Sequence, residues 1–341
     1  MSSTPGEGFQ DGGPGDTTGS VLEVRDLSVE YIMERGTILA VDEVSFDLAA
    51  GEFLGIVGES GCGKSTLLFA IAQLLVPPAE VTGGSVTFKG RNMVGLTDKE
   101  MASIRWKNLS VVMQSAMNAL NPVKSIGSQF ADAMQAHGVR SKTEIADRSA
   151  EVLRMVGIDP IHLKSYPHQL SGGMRQRSMI AMALLFTPDL VIMDEPTSAL
   201  DVVAQRSLMV QIKELQEQLG FAIIFVTHDM SLVRHFSNRL MVMYAGVIAE
   251  FGATGQVFDS PQHPYSIGLM EAFPSIRGPR VPLTGIPGSP PNLARIPPGC
   301  RFAPRCPKAF ARCEVEPPEL YQVNGTLVRC FLHEGQARSH D

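Results

Sequence analysis

Apolar and polar residues alternate in the first part of the chain. Leu27, Val29 and Tyr31 are separated by polar residues, and residues 44–48 and 85–88 form short strand-like runs bounded by Gly or Asp. Alternation is typical of strands with one buried face, because successive side chains point to opposite sides of a strand. We therefore predict an antiparallel β-layer here.

Later apolar runs are continuous instead of alternating. They are residues 53–57, 190–193 and 221–226. Strands that are buried on both faces of a parallel sheet have this pattern. Between them, one helix is predicted to begin within residues 58–66 and to run toward Leu75. Another has apolar residues at i, i+4, i+7 and i+11 from Leu208 and ends at Gly220. The pattern predicts an α/β fold with a central parallel sheet.

Composition divides the chain into segments. We predict a disordered tail at 1–19, an α/β core with its antiparallel layer at 20–92 and 171–255, a helical subdomain at 93–170 and a C-terminal module at 256–341. The tail has almost no large apolar side chain, so burial cannot offset the entropy of ordering it. The helical segment shows no comparable strand and has a capping box at Ser141 and Glu144. The last segment is rich in proline and holds four of the five cysteines.

The overall composition excludes several classes of protein. With 341 residues, of which 44% are hydrophobic and 19% charged, the chain is neither fibrous nor largely disordered. The net charge of −6 argues against general electrostatic binding to nucleic acid or anionic lipid. Apolar runs such as residues 179–186 are shorter than the roughly 18 residues of a membrane span. We find no secretory signal pattern and expect a reducing cytosol, with cysteines as thiols or ligands.

Residues 58–66 have the most specific chemical pattern. Their sequence, Gly-Glu-Ser-Gly-Cys-Gly-Lys-Ser-Thr, fits GxxxxGKS and lies between a buried strand and a helix. Glycines allow backbone N–H groups to point at a β-phosphate, Lys64 reaches the β- and γ-phosphates, and the Ser65 hydroxyl binds Mg²⁺. We predict a phosphate-binding loop with contacts from Gly58, Ser60, Gly61, Gly63, Lys64, Ser65 and Thr66. Cys62 is interpreted as a small residue at a variable position.

Two other buried strands end in polar residues. The run 190–193 leads to Asp194 and Glu195, which are placed to hold Mg²⁺ and to polarise an attacking water. A charged turn is the simpler reading, but the phosphate loop upstream favours the magnesium site. The run 221–226 leads to His228, which is either a γ-phosphate contact or a structural turn residue.

A helix that begins after Leu170 has the sequence Ser-Gly-Gly-Met-Arg-Gln at residues 171–176. Physically it is either a second anion-binding helix N-terminus or a glycine-containing turn. However, Leu-Ser-Gly-Gly-x-x-Gln between a phosphate loop and an Asp-Glu strand strongly resembles the signature motif of ABC-transporter nucleotide-binding domains. The resemblance covers about residues 21–341 and implies an ABC-type P-loop ATPase fold that uses ATP and Mg²⁺.

The other motifs of that family follow in order. Gln114 matches the Q-loop, residues 198–201 match the D-loop, and His228 matches the switch histidine. The resemblance implies catalytic roles for Gln114, Glu195 and His228, magnesium ligands at Ser65, Gln114 and Asp194, and nucleotide contacts from Ser171, Gly172, Gly173 and Asp201. It also implies that Tyr31 stacks on adenine, although Tyr31 shares a strand face with Leu27 and Val29 and could be core.

Family members pair head to tail, so one copy has half of each ATP site. One motif set without a membrane span resembles the separate ATPase subunit of an importer. The implied partners are a paralogous ATP-binding subunit, two membrane permeases and an extracytoplasmic substrate-binding protein, and the implied location is the cytoplasmic face of the membrane. Residues 118–122 and the helices after them either contact the permease or are structural.

The C-terminal segment resembles that of oligopeptide and dipeptide importer ATPases. It contains His263-Pro264-Tyr265 and the set Cys300, Cys306, Cys313 and Cys330, with Cys306 in the run Ala-Pro-Arg-Cys-Pro. Four thiolates could hold an iron–sulfur cluster, a zinc ion or nothing, and the paired C-x2-C spacing usual for zinc is absent. Subfamily members with this cysteine set carry a 4Fe-4S cluster, which the resemblance implies here.

The sequence thus predicts an ATP-hydrolysing subunit of a peptide importer. Related importers carry oligosaccharides or metal ions, and this remains the alternative. ABC ATPases of translation or DNA repair would have two motif sets or a long coiled-coil insertion. For a plain P-loop kinase or GTPase, Leu-Ser-Gly-Gly has no role.

Overall fold

The computed structural model describes residues 19–34, 36–114, 119–198, 200–272 and 285–335. Its strands are β1 (Ser20–Met33), β2 (Gly36–Ala49), β3 (Phe53–Val57), β4 (Ala79–Phe88), β5 (Arg91–Asn92), β6 (Leu109–Val112), β7 (Leu190–Asp194), β8 (Ala222–Val226), β9 (Arg239–Tyr244), β10 (Val247–Ala253), β11 (Tyr321–Val323) and β12 (Thr326–Val328). Its helices are α1 (Lys64–Ile71), α2 (Asp98–Ile104), α3 (Ile126–Ala136), α4 (Lys142–Met155), α5 (Gly172–Ala183), α6 (Val202–Leu219), α7 (Met230–Phe236), α8 (Thr254–Asp259), α9 (Pro264–Glu271) and α10 (Ala311–Val315). The predicted tail through residue 18, Asn118 and Ala199 lie outside the described residues.

The predicted antiparallel layer is confirmed. Four strands pair antiparallel in the order β2-β1-β4-β5. Leu27 lies opposite Val44 in the β1–β2 register, and both side chains are fully buried. They belong to the same core cluster as Leu54 and Ile56 on β3, so this layer covers one face of the central sheet.

The central sheet has eight strands in the order β11-β12-β10-β9-β3-β8-β7-β6. Strands β3, β8 and β7 pair in parallel and are buried along their whole length, as the continuous apolar runs predict. Asp194 and Ile56 both lie beside Val226, so the carboxyl ends of these three strands meet at one edge. This edge is where ligands bind in open α/β sheets.

The predicted helices form with small differences in length. Helix α6 buries Leu208, Ile212 and Leu215, and it ends at Gly220, whose φ of +77° is left-handed. Helix α1 ends at Ile71, four residues before the predicted end. At the start of α4, the Ser141 hydroxyl accepts the Glu144 N–H at 3.2 Å. Within the described residues, no helix is both long and apolar enough to cross a bilayer.

The prediction that residues 93–170 contain no comparable strand is wrong. Strand β6 lies in this segment and pairs in parallel with β7 at the edge of the central sheet. Four residues are too few to show a period, and the polar Ser110 interrupts the run. Its hydroxyl donates to the Ala183 carbonyl at 2.8 Å, so a polar residue is buried there with a partner.

The prediction of a separate C-terminal module is not confirmed, because described residues of this segment pack against the core. Strand β12 pairs antiparallel with β10, so residues beyond 320 extend the central sheet. A Cβ at Gly252 would lie 2.4 Å from the Thr326 side chain, which explains the close approach of the two strands. Tyr265 and Phe302 pack on Tyr244, with ring centroids 4.6 and 5.2 Å away, inside the main core. Strands of three residues leave no detectable sequence pattern.

Candidate functional site

The loop from Gly58 to Gly63 joins β3 to α1 and is closely packed. A Cβ at Gly58, where φ is +151°, would lie 2.2 Å from the Met243 carbonyl oxygen. A Cβ at Gly63, where φ is +102°, would lie 2.3 Å from the Ala40 carbonyl oxygen. Only glycine fits either position. Gly63 also gives α1 no side-chain cap, a geometry that leaves the helix N-terminus suited to an anion.

The Lys64 side chain lies across this loop. Lys64 is almost fully buried, and Nζ donates to the carbonyl oxygens of Gly58 at 2.8 Å and Glu59 at 2.9 Å. These two backbone acceptors hold the ammonium within the loop. The buried Cys62 Sγ is 3.7 Å from Nζ, and burial raises the pKa of this thiol. Cys62 therefore fills the loop as a neutral group.

Asp194 ends β7 with a buried carboxylate that lacks a complete set of partners. Its Oδ1 atom is buried and makes no hydrogen bond within the described residues. Burial raises the pKa of Asp194, and a hydrogen bond from Ser65 partly offsets the shift. An orphaned carboxylate oxygen beside a hydroxyl, both next to the phosphate loop, fits the oxygen ligands that Mg²⁺ prefers. The two residues predicted from the sequence are thus brought together.

Glu195 is held by the two other predicted catalytic residues. Its Oε1 is 2.5 Å from His228 Nε2, and its Oε2 accepts from Gln114 Nε2 at 2.7 Å. The Glu195 backbone has φ +46°, a left-handed conformation that costs energy in a residue with a side chain and is common at active sites. The contacts join the ends of β6, β7 and β8.

These groups line one open pocket with a volume of about 450 Å³, which is within the usual range of small-molecule sites. Its lining residues are Tyr31, Ile38, Ala40, Ser60, Gly61, Gly63, Lys64, Ser65, Thr66, Gln114, Glu195, His228 and Leu293. Tyr31 is half-buried at the pocket edge, with its hydroxyl 3.1 Å from Thr66 Oγ1, whereas Leu27 and Val29 are fully buried. Tyr31 is therefore accessible from the pocket, and its stacking on adenine stays a prediction.

The signature residues lie elsewhere. Ser171 caps α5 by accepting the Met174 N–H at 3.2 Å, and it lines a second pocket together with Gly173 and Leu200. Asp201 caps α6 by accepting the Ala204 N–H at 2.8 Å. None of the described residues that line the phosphate-loop pocket is one of these signature or D-loop residues. In the described parts of the chain, the phosphate loop and the signature motif therefore line different pockets.

The four C-terminal cysteines line one narrow cavity, together with His263, Phe302 and Phe331. All four are unpaired thiols. Burial raises the pKa of Cys300, Cys306 and Cys330, the last to about 11. In the part of the chain that the structure describes, no three His, Cys, Asp or Glu side chains form a metal-binding group. The predicted metal geometry is therefore not present, although the predicted residues share a cavity.

The sequence analysis assigned no role at the phosphate loop to two residues that contact it. Arg305 forms an ion pair with Glu59, and the Tyr265 hydroxyl accepts the Glu59 N–H at 2.9 Å. Glu59 occupies a variable position of the loop pattern. Arg305 lies 246 positions away in sequence, so no local spacing links the two residues.

Comparisons with known proteins identify families and relatives that the chain resembles. The family profile "ABC transporter" matches residues 41–198, and "Oligopeptide/dipeptide transporter, C-terminal region" matches residues 249–313. An oligopeptide transport ATP-binding protein, OppD of Salmonella typhimurium, is 44% identical over 91% of this chain and 93% of the relative. A dipeptide transport ATP-binding protein, DppD of Bacillus subtilis, is 44% identical over 93% of this chain and 96% of the relative. A dimeric bacterial ABC transporter cassette is similar in structure, with a TM-score of 0.62, 30% identity and coverage of 68% of this chain and 98% of the cassette.

Proposed function

The chain belongs to the ABC transporter family, in the branch of oligopeptide and dipeptide transport ATP-binding proteins, and we propose that it binds and hydrolyses ATP to drive peptide import. The observation that carries the proposal is the single pocket in which the phosphate loop faces Glu195. It combines a place for phosphates with a carboxylate that two neighbours hold in position. As in the importer family, the subunit works at the cytoplasmic face of the membrane.

Each residue of the pocket has a distinct task. Lys64 exchanges its two backbone acceptors for phosphate oxygens when nucleotide enters. Glu195 orients the attacking water, while Gln114 and His228 hold its two carboxylate oxygens. Asp194 and Ser65 hold Mg²⁺, which neutralises charge on the phosphates when bound. Tyr31 supports the adenine from the pocket edge.

The position of the signature motif supports a dimer of two ATP-binding subunits. Ser171, Gly172 and Gly173 begin α5 next to the second pocket, and Asp201 begins α6. In a head-to-tail pair they face the partner's nucleotide. We propose a paralogous ATP-binding subunit as that partner, two membrane permeases and an extracytoplasmic peptide-binding protein. Val123, which is 79% exposed in the segment after Gln114, is a candidate permease contact.

We also propose that Cys300, Cys306, Cys313 and Cys330 hold a 4Fe-4S cluster. Support comes from their shared cavity and from their thiols being unpaired. Thiolates are the ligands of such clusters, and a bound cation lowers the pKa of a coordinating thiol. Among the described residues, the four cysteines are not arranged as metal ligands. Binding of the cluster would therefore bring their sulfur atoms closer together.

The functional proposal is tested by reconstitution. The chain is combined with the paralogous subunit, the permeases and the binding protein in liposomes, and uptake of a labelled oligopeptide is measured with ATP. We expect uptake and phosphate release that Lys64→Ala abolishes. Uptake of an oligosaccharide or a metal ion instead of peptide would reassign the substrate. Absence of ATP hydrolysis by the complete complex would refute the enzymatic role.

A further inference from the structure

A buried arginine from the C-terminal segment contacts the phosphate loop. The side chain of Arg305 is 5% exposed, and its guanidinium donates to both Glu59 carboxylate oxygens, at 2.6 and 2.9 Å. Its Nε donates to the Pro287 carbonyl at 2.7 Å, and one Nη donates to the Tyr244 hydroxyl at 3.2 Å. A two-point pair between arginine and a carboxylate fixes direction as well as distance. The Glu59 side chain therefore has one orientation.

The backbone of Glu59 is fixed as well. Its N–H donates at 2.9 Å to the hydroxyl of Tyr265, which is fully buried on α9. Its carbonyl oxygen accepts from Lys64 Nζ at 2.9 Å. The position of Glu59 thus sets where the Lys64 ammonium rests before phosphate arrives. Four described residues form hydrogen bonds with Glu59, and two of them, Arg305 and Tyr265, lie beyond residue 256.

Arg301, four residues before Arg305, supports the phosphate loop through the turn between β9 and β10. Arg301 donates to the Ala245 carbonyl and to the Asp42 carboxylate. The next residue, Gly246, donates its N–H to the Cys62 carbonyl at 2.9 Å and accepts the Asp42 N–H at 2.9 Å. The turn between β9 and β10 is therefore fixed to Arg301 and in turn supports the phosphate loop.

We propose that Arg301 and Arg305, here called the arginine brace, are positioning residues that keep the phosphate loop in its nucleotide-binding shape. The proposal rests on the proposed binding of ATP. The brace touches the loop but not the reacting atoms. Its loss therefore weakens ATP binding and raises KM, whereas kcat at saturating ATP changes little.

The test compares three arginine variants of the full chain. Arg305→Gln and Arg301→Gln each remove one arginine of the brace, and Arg312→Gln is the matched control. Arg312 lies in the same C-terminal segment, but its guanidinium bonds to Glu316 and Glu334 on the surface. For each brace variant we expect binding of a fluorescent ATP analogue to weaken about tenfold, which corresponds to about 1.4 kcal/mol. In the complete complex, KM should rise in parallel, and the control should match wild type in both measurements.

A gentler variant separates positioning from folding. Tyr265→Phe keeps the ring and removes only the hydroxyl that accepts the Glu59 N–H, so it should weaken ATP binding while the thermal midpoint stays within a few degrees of wild type. Arg305→Lys keeps the charge but cannot make the two-point pair, and it should recover only part of the lost affinity. If Arg305→Gln does not fold, Arg305→Lys decides, because wild-type affinity in that variant would overturn the role of Arg305.

Two negative results have different meanings. Wild-type affinity in folded Arg305→Gln and Tyr265→Phe would overturn the brace and leave the ATPase assignment intact. Failure of the wild-type chain to bind the analogue would overturn the proposed function.

Discussion

The nucleotide pocket and the cysteine cavity differ in how their polar groups are prepared for a ligand. In the pocket, Lys64 and Glu195 are held by hydrogen bonds, and one oxygen of Asp194 is left without a partner. In the cavity, the thiols are unpaired and burial raises the pKa of three of them. The pocket lies where strands of the central sheet end, whereas the cavity is lined largely by loops and short turns. A rigid sheet edge can organise a site in advance, but a loop-built site depends on its ligand for order.

The largest effect should come from the pocket. Glu195→Gln removes the charge that polarises water but keeps the size of the side chain. We expect the ATPase rate of the assembled transporter to fall about 10²- to 10⁴-fold while ATP affinity stays close to wild type. Phosphate release and analogue binding measure the two effects. Glu217→Gln, an exposed change on α6, is the control, and a rate within a few-fold of wild type in Glu195→Gln would remove Glu195 from catalysis.

The second prediction tests whether the pocket is complete in one chain. Ser171→Arg places a large charged side chain at the start of α5, where the partner's nucleotide is expected. ATPase activity of the complex should fall about 10²-fold, with ATP affinity at this chain's own phosphate loop unchanged. Ser141→Arg loses an equivalent helix cap on α4, which costs about 1 kcal/mol, but it should leave hydrolysis intact. Full activity of a verified monomer would contradict the composite site.

The third prediction concerns the cavity. Anaerobically purified protein should contain about four iron and four sulfide per chain, as a 4Fe-4S cluster requires. Cys330→Ser should lose both and lower the free energy of unfolding by about 2 kcal/mol, because the ligand contributes to folding. Cys62→Ser, which changes a buried cysteine outside the cavity, should keep its iron. Colourless wild-type protein with one tightly bound zinc would contradict the cluster assignment.

The smallest expected effect is a higher free energy of unfolding when Asp194 in the pocket is replaced. The pKa of Asp194 is raised in the folded state, so its stability contribution is fully present below the unfolded pKa and declines as pH rises toward the folded pKa. Without nucleotide and Mg²⁺, Asp194→Asn should therefore raise the free energy of unfolding at pH 7 by about 1 kcal/mol. It should also abolish stabilisation by magnesium and ATP. Denaturant melts at pH 4 and pH 7 test the sign, since the gain should shrink at the lower pH.

Most of the fold was predictable because its strands and helices have clear periods. The alternation in β1 and the continuous runs in β3, β7 and β8 each predict the observed burial. Strands β5, β6, β11 and β12 were missed, because two to four residues do not establish a period. Strands β9 and β10 were also missed, although they have six and seven residues and are almost entirely buried. Strands β6 and β12 pair with β7 and β10, which are distant in sequence, whereas β11 pairs with the adjacent β12. Strand β12 also joins the C-terminal segment to the central sheet through β10.

The sequence by itself determined the chemistry of the nucleotide site. Gly58, Gly63 and Lys64 were recognisable because a phosphate loop needs each residue type at its own spacing. Only the tertiary structure decided that Arg305 holds Glu59 and that the signature motif faces a different pocket from the phosphate loop. The physical reason is that a local motif acts through its own backbone geometry. Contacts between distant segments depend on how the whole sheet and its loops pack, and no spacing along the chain records that packing.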